Sequence, residues 1–265
     1  NRISIDSFKE SQVGKTLPLN FTVYPLQTYQ EVTWTLSDNS IAHIDNNQIT
    51  FLRAGEVKIT ATSRFGNIEK SLTVTVHDDL EIQADRYVYN DPDIKSITIN
   101  GLDYRIEGLV FTSIQEAINA SQEQDRIVVL PGTYDEVITI DKKINLVSIN
   151  ENIIPDTNER MPESILKDVM IIKSGATIKG FTFNYSKSQS SVTGLIYTTG
   201  GENIKDLDIS YNHIICRSLG SHTGIIRLGN SLNNKVLENI IISNNYIEST
   251  GTNSIISNRY RDLTQ

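Results

Sequence analysis

Three short apolar segments recur at a fixed interval near the C-terminus. Gly194-Leu-Ile-Tyr197, Gly224-Ile-Ile-Arg227 and Ser254-Ile-Ile-Ser257 are equally spaced (224 − 194 = 30; 254 − 224 = 30). A segment this short cannot bury its own apolar face. Repeated at constant spacing, it buries that face by stacking on its copies, which is how a solenoid forms. A second set accompanies the first: Ile178-Lys-Gly-Phe-Thr-Phe183, Ile204-Lys-Asp-Leu-Asp-Ile209 and Leu237-Glu-Asn-Ile-Ile-Ile242. Aligned on their first residues, these lie 26 and 33 apart (204 − 178; 237 − 204), which predicts loops of unequal length on one side of the stack. Ser210-Tyr-Asn212-His-Ile214 and Ser243-Asn-Asn245-Tyr-Ile247 set an asparagine at the same point of successive coils. Asparagine tolerates a left-handed backbone, and its amide can bond its copy one rung away, about 4.8 Å along the axis. Asn212 and Asn245 are therefore expected to form an internal ladder at a bend.

The region before these repeats opens on a helix signal. Ser113 with Glu116, or Thr112 with Gln115, makes a capping box, and Ile114, Ala117 and Ile118 share one face at helical spacing. After the polar break Ser121–Asp125 the period changes. Ile127–Leu130 is a short apolar run, Pro131-Gly132 a turn and Val137–Ile140 a strand. A short amphipathic helix leading into many short strands predicts a cap over one end of the stack. Glu151–Ser164, with Pro155 and Pro162, reads as a loop leaving the coil, and long loops on a rigid scaffold are where binding residues gather.

The wording of this stretch, FTSIQEAIN, then IVVLPGTYDEVITI and KKINLVS, resembles the opening of the pectin lyase-like superfamily, closest to pectin methylesterase-like proteins. The resemblance runs from Asp85 to the end and is strongest over Phe111–Ser148. It implies a right-handed, single-stranded parallel β-helix with a short N-terminal capping helix. It implies no particular activity, because the fold hosts many chemistries.

Residues 1–77 read as seven short strands: Ile3–Ile5, Leu17–Tyr24, Glu31–Leu36, Ile41–Ile44, Gln48–Phe51, Glu56–Ser63 and Ser71–Val76. Turn signals separate them and no helical period intervenes, which predicts a two-sheet sandwich. Val57, Ile59 and Ala61 alternate with Lys58, Thr60 and Thr62, as in a half-buried antiparallel strand. Gly14-Lys-Thr-Leu17, Val23-Tyr-Pro25, Val32-Thr-Trp34, Ser37–Ala42 and Ala54–Ala61 are similar to bacterial Ig-like domains of group 2. That resemblance implies a spacer or adhesive module of a surface protein. Trp34, the only tryptophan, is read as a core residue of the third strand rather than a sugar platform. His77–Ser96 is read as a charged joint; His77, Asp78 and Asp79 alternate in direction and do not converge as metal ligands. Tyr87-Val-Tyr89 and Ile97-Thr-Ile99 are expected to begin the second domain. The organisation expected is therefore 1–77 Ig-like sandwich, 78–96 linker and first strand, and 97–265 parallel β-helix.

Bulk properties narrow the partners. A net charge of −8 argues against nucleic acid, which draws clustered Lys and Arg. No apolar run approaches the ~20 residues of a membrane span. One cysteine, Cys216, excludes an intrachain disulfide and a thiolate metal site, and is expected to pack inward. The start at Asn1 and the uncapped ending SNRYRDLTQ suggest a piece of a longer protein, with further coils beyond Gln265.

Chemistry has few candidates. Asp206 and Asp208 lie two apart on one segment and would face outward about 7 Å from each other. In the alignment above their neighbours are Gly180 and Thr182 on one side and Asn239 and Ile241 on the other. The glutamine and arginine that accompany such aspartates in pectin methylesterase-like enzymes are absent from those strands. A lyase-like site would add calcium-binding acids and an Arg or Lys base, for which Arg217 and Arg227 with the two aspartates are the pool. No cofactor is otherwise implied. His213 and His222 fall at turns and read as surface histidines. Tyr197, Arg227 and Ser257 share one register, with Thr193, Thr223 and Asn253 four residues earlier in each repeat. This outward stripe of aromatic, cation, hydroxyl and amide suits a polysaccharide chain. The reading is thus a secreted or surface-associated bacterial segment that binds polysaccharide or a cell-surface glycan without catalysis of its own. The alternative is the N-terminal part of a polysaccharide lyase or pectin esterase-like enzyme.

Overall fold

The structure is a computed structural model that describes residues 1–64, 68–187, 194–198, 203–217, 224–229, 236–249 and 254–258, the last by backbone alone. Two compact units result: Asn1–Ile82 with Ser96–Arg105, and Gln83–Lys95 with Ile106–Gln265. The chain therefore passes between them at three points.

The first unit begins with β1 (Arg2–Ile5), β2 (Glu10–Gln12), β3 (Thr16–Pro18), β4 (Phe21–Tyr24), β5 (Val32–Leu36), β6 (Ala42–Asp45), β7 (Gln48–Phe51), β8 (Gly55–Ser63) and β9 (Glu69–His77). These form the sheets β2-β9-β8-β5 and β3-β7-β6 and the pair β1-β4. The expected strand Leu17–Tyr24 is in fact two. Pro18 ends the ladder with β7, the chain crosses over at buried Leu19, and β4 then pairs with β1. The core holds Ile49, Phe51, Val57, Ile59 and Val74, all fully buried. Trp34 packs against this core and edge-on to Phe21 at 5.9 Å, but is only half-buried, and its indole N–H donates to Asn47 Oδ1 at 2.9 Å.

Beyond β9 come β10 (Leu80–Glu81), β11 (Arg86–Val88), β12 (Ser96–Ile99) and β13 (Leu102–Arg105). Of these, β11 belongs to the second unit, while β10-β13-β12 form a small sheet of the first. Ile97–Ile99 therefore group with the sandwich rather than opening the second unit. Gln12 ties the hairpin down by imitating a strand neighbour. Its Nε2 donates to Asp103 O at 3.0 Å and its Oε1 accepts from Asp103 N at 2.9 Å.

In the second unit, β14 (Leu109–Phe111) and α1 (Ile114–Ala120) precede, among the described residues, five coils of three strands. These are β15 (Arg126–Val129), β16 (Gly132–Tyr134) and β17 (Ile138–Ile140); β18 (Ile144–Ser148), β19 (Ser164–Leu166) and β20 (Met170–Ile172); β21 (Ala176–Lys179), β22 (Thr182–Tyr185) and β23 (Gly194–Thr198); β24 (Ile204–Ser210), β25 (His213–Cys216) and β26 (Gly224–Leu228); and β27 (Leu237–Ser243), β28 (Tyr246–Ser249) and β29 (Ser254–Asn258). Corresponding strands of successive coils pair in parallel, giving the sheets β14-β11-β15-β18-β21-β24-β27, β16-β19-β22-β25-β28 and β17-β20-β23-β26-β29. This is a parallel β-helix. Ile127, Leu146, Ile178, Ile209 and Ile242 stack in one interior column. Tyr134, Leu166, Phe183, Ile214 and Ile247 stack in another. Cys216 points inward and is buried.

The 30-residue repeat lies in register as read: Gly194, Gly224 and Ser254 align, as do Tyr197, Arg227 and Ser257. The other set is out of register at its first member. Ile178 stacks on Ile209 and not on Ile204, and Thr177, not Thr182, lies beside Asp208. The later pairing of Ile204 with Leu237 holds. Two kinds of left-handed residue cause the slip. Gly180, Tyr211 and Asn244 have φ of 84°, 58° and 52° at the corner between the first and second sheets. Asp206 and Asn239, at φ 57° and 53°, instead form a bulge inside the strand. Both places favour Gly, Asn or Asp, so in sequence the bulge resembles the corner.

Just past the corner, the asparagine ladder forms as expected. Fully buried Asn212 donates through Nδ2 to Ile178 O at 3.0 Å and to Asn245 Oδ1 at 3.1 Å, and its Oδ1 accepts from Phe181 N at 3.0 Å. Asn245 repeats the pattern one rung on, donating to Ile209 O at 2.8 Å. The loop between β18 and β19 folds back over this corner. Arg160, bound to both carboxylate oxygens of Glu163, also donates to Gly180 O at 2.9 Å and Tyr211 O at 3.2 Å.

Candidate functional site

Three outward faces of the β-helix carry polar chemistry. On the first sheet, charges pair across rungs. Asp206 meets Lys143 at 2.6 Å, Asp208 meets Lys179 at 2.7 Å and Lys205 meets Glu238 at 2.6 Å. The Lys143 bond, helped by the Asn239 amide, holds the Asp206 carboxyl below the usual carboxylate range. The bulge at Asp206 breaks strict alternation, so Lys205 and Asp206 are both exposed. Gly175 packs against the backbone of Lys205 and Asp206. A Cβ there would meet Lys205 O at 1.8 Å, so only glycine lets the two coils approach. Each aspartate is thus clasped by a lysine from an earlier coil.

On the third sheet, Thr139, Ile171, Tyr197 and Arg227 occupy one outward register, which the backbone of Ser257 continues. Tyr197 and Arg227 are half-buried neighbours on adjacent rungs, about 4.8 Å apart along the axis. Gly194 lies beneath them; a Cβ there would meet Gly224 O at 2.9 Å and the Cβ atoms of both residues at 3.2 Å. Thr193, Thr223 and Asn253 lie outside the described residues, as do His222 and the side chain of Ser257. Arg217 follows β25, on a different sheet from Arg227.

On the second sheet, the structure joins residues that the sequence reading left apart. His213 and Tyr246 occupy one outward register and their rings lie 5.3 Å apart. His213 Nε2 is 2.8 Å from Glu248 Oε1 on the next rung. The signal was present in the Asn212–Asn245 alignment, which carries His213 onto Tyr246 and Ile215 onto Glu248. Among the described residues no group of three or more His, Cys, Asp or Glu converges as a metal site.

The sandwich of the first unit, with its alternating β8 and half-buried Trp34, also resembles a known protein family. One family matches over residues 3–74. That segment is a bacterial Ig-like domain of group 2. Domains of this kind are typical of surface proteins. The Ig-like match ends within β9 and includes neither β10 nor the hairpin β12-β13. No curated protein matches the chain. No helix among the described residues is long and apolar enough to cross a membrane.

Proposed function

We propose that this is a secreted or surface-associated bacterial segment whose β-helix binds a polysaccharide or cell-surface glycan without catalysis of its own. The observation that carries this reading is the pairing of Tyr197 with Arg227 on adjacent rungs. The ring offers an apolar face to a pyranose, and the guanidinium offers a fork of donors to its hydroxyls or carboxylate. A spacing of one rung, about 4.8 Å, is close to the length of one sugar residue, so a glycan can lie along the coil axis. Asp206 and Asp208 act structurally in this account, since each is held in a cross-rung ion pair. An Ig-like domain upstream of the β-helix fits an adhesive role.

A second reading rests on His213 and Glu248. A histidine held by a carboxylate beside an open tyrosine is the arrangement of an oriented general base. It keeps a polysaccharide lyase or esterase in view, with calcium as the expected cofactor of a lyase.

The test is incubation of the full chain with an array of plant, bacterial and host polysaccharides. Retention, unsaturated products and released methanol are read together. Retention of at least one glycan without turnover supports the first reading. Turnover abolished by His213→Ala replaces it with the second.

A further inference from the structure

The Ig-like unit contains a cleft of about 380 Å³ lined by Tyr24, Gln27, Thr28, Tyr29, Ser63 and Arg64, with Val23 and Ile68 among its apolar walls. This volume falls in the range of about 300–1,000 Å³ typical of small-molecule sites. We infer that the cleft is a saccharide subsite that takes a pyranose residue, separate from the Tyr197–Arg227 stripe.

The loop that forms one wall is organised from inside. Gln30 acts as a backbone surrogate: its Oε1 accepts from Val23 N at 2.9 Å, and its Nε2 donates to Val23 O at 2.8 Å and Thr28 O at 3.1 Å. Thr28 donates to Pro25 O through both N, at 3.0 Å, and Oγ1, at 2.8 Å. With its backbone satisfied in this way, the loop presents Gln27 and Tyr29 outward, and Tyr29 is 60% exposed. The opposite wall supplies Arg64, whose guanidinium lies 4.8 Å from the centroid of the Tyr29 ring. Glu31 holds Arg64 Nη1 at 2.8 Å and so fixes the guanidinium plane. Tyr24 is backed likewise by Arg2 at 4.5 Å.

This combination selects for a sugar. A hydrocarbon ligand would strip water from the Gln27 amide, the Ser63 hydroxyl and the remaining donors of Arg64 without replacing it, which is costly. A simple anion would find the guanidinium already engaged by Glu31. A pyranose meets both demands: its C–H face packs on tyrosine, and its hydroxyls, each donor and acceptor, match an amide, a hydroxyl and a cation. Preorganisation by Gln30 lowers the ordering cost of binding.

Saturation-transfer NMR of the full chain with neutral, N-acetylated and uronic mono- and disaccharides tests this. At least one sugar should receive saturation from the protein. Tyr29→Ala and Gln27→Ala should each weaken its binding about tenfold, equivalent to about 1.4 kcal/mol, while Tyr29→Phe should retain it. Transfer from no sugar overturns the inference. So does transfer that survives both alanine variants but vanishes in Arg227→Ala, because that result assigns the sugar to the β-helix.

Discussion

Glu136 and Lys142 stand on either side of β17 and hold opposite ends of α1. Glu136 accepts from Ser113 Oγ at 2.7 Å, Ile114 N at 2.8 Å and Gln115 N at 3.1 Å. Lys142 Nζ donates to Ile118 O, Asn119 O and Ser121 O at 3.0, 2.8 and 3.0 Å. An anion at the N-terminus and a cation at the C-terminus each match the helix dipole. Isolated helices of this length are unstable in water, so the capping helix depends on the first coil. Glu136→Gln is expected to destabilise the β-helix by about 1–2 kcal/mol, read as a lower Tm with little change in the circular dichroism of the folded state. An unchanged Tm would show that the cap does not hold the helix.

Gly175 marks a close approach between coils. Its hypothetical Cβ lies 1.8 Å from a backbone oxygen of the next coil, which cannot move without breaking the ladder. Gly175→Ala is expected to cost more than about 3 kcal/mol. At Gly14, with φ of 86° and nothing within 4 Å, alanine should cost only about 1 kcal/mol of backbone strain. Urea titrations of the two variants check the contrast.

Legibility of the chain followed one rule. Equal spacing was read correctly, as at Gly194, Gly224 and Ser254, because a constant coil length leaves one alignment. The alignment slipped where a bulge at Asp206 imitated the corner at Gly180, and both require the same backbone sign. The helix and its buried face were legible from Ser113 and from Ile114, Ala117 and Ile118. The sequence suggested Glu116 as the reciprocal cap, but Glu136 supplies that carboxylate from a later strand, which local spacing cannot reveal. The His213–Glu248 contact likewise needed the rung register before it could be seen.

The Tyr185 hydroxyl is buried with no hydrogen-bond partner among the described residues, and burial raises the pKa of the phenol. Removing an unpaired buried polar group relieves its desolvation cost. Tyr185→Phe is therefore expected to stabilise the β-helix by about 1 kcal/mol, seen as a raised midpoint in urea.

Acid should act on the Ig-like unit through Asp103. Hydrogen bonds from Lys15, at 2.5 Å, and Thr98, at 2.6 Å, lower its pKa in the folded state. A depressed carboxyl pKa contributes stability above the unfolded value of about 3.9 and loses it as pH falls through the folded value. The Tm gap between wild type and Asp103→Asn should be constant above about pH 5 and close below about pH 4. A gap that persists at lower pH would show that the ion pair is not its source.

The Tyr197–Arg227 stripe is tested most directly by a binding isotherm on one retained polysaccharide, measured for wild type, Tyr197→Ala and Arg227→Ala at equal folded fraction. Each variant is predicted to weaken binding about tenfold or more, through lost stacking or lost donors. Isotherms that superimpose on the wild type for both variants would contradict the account.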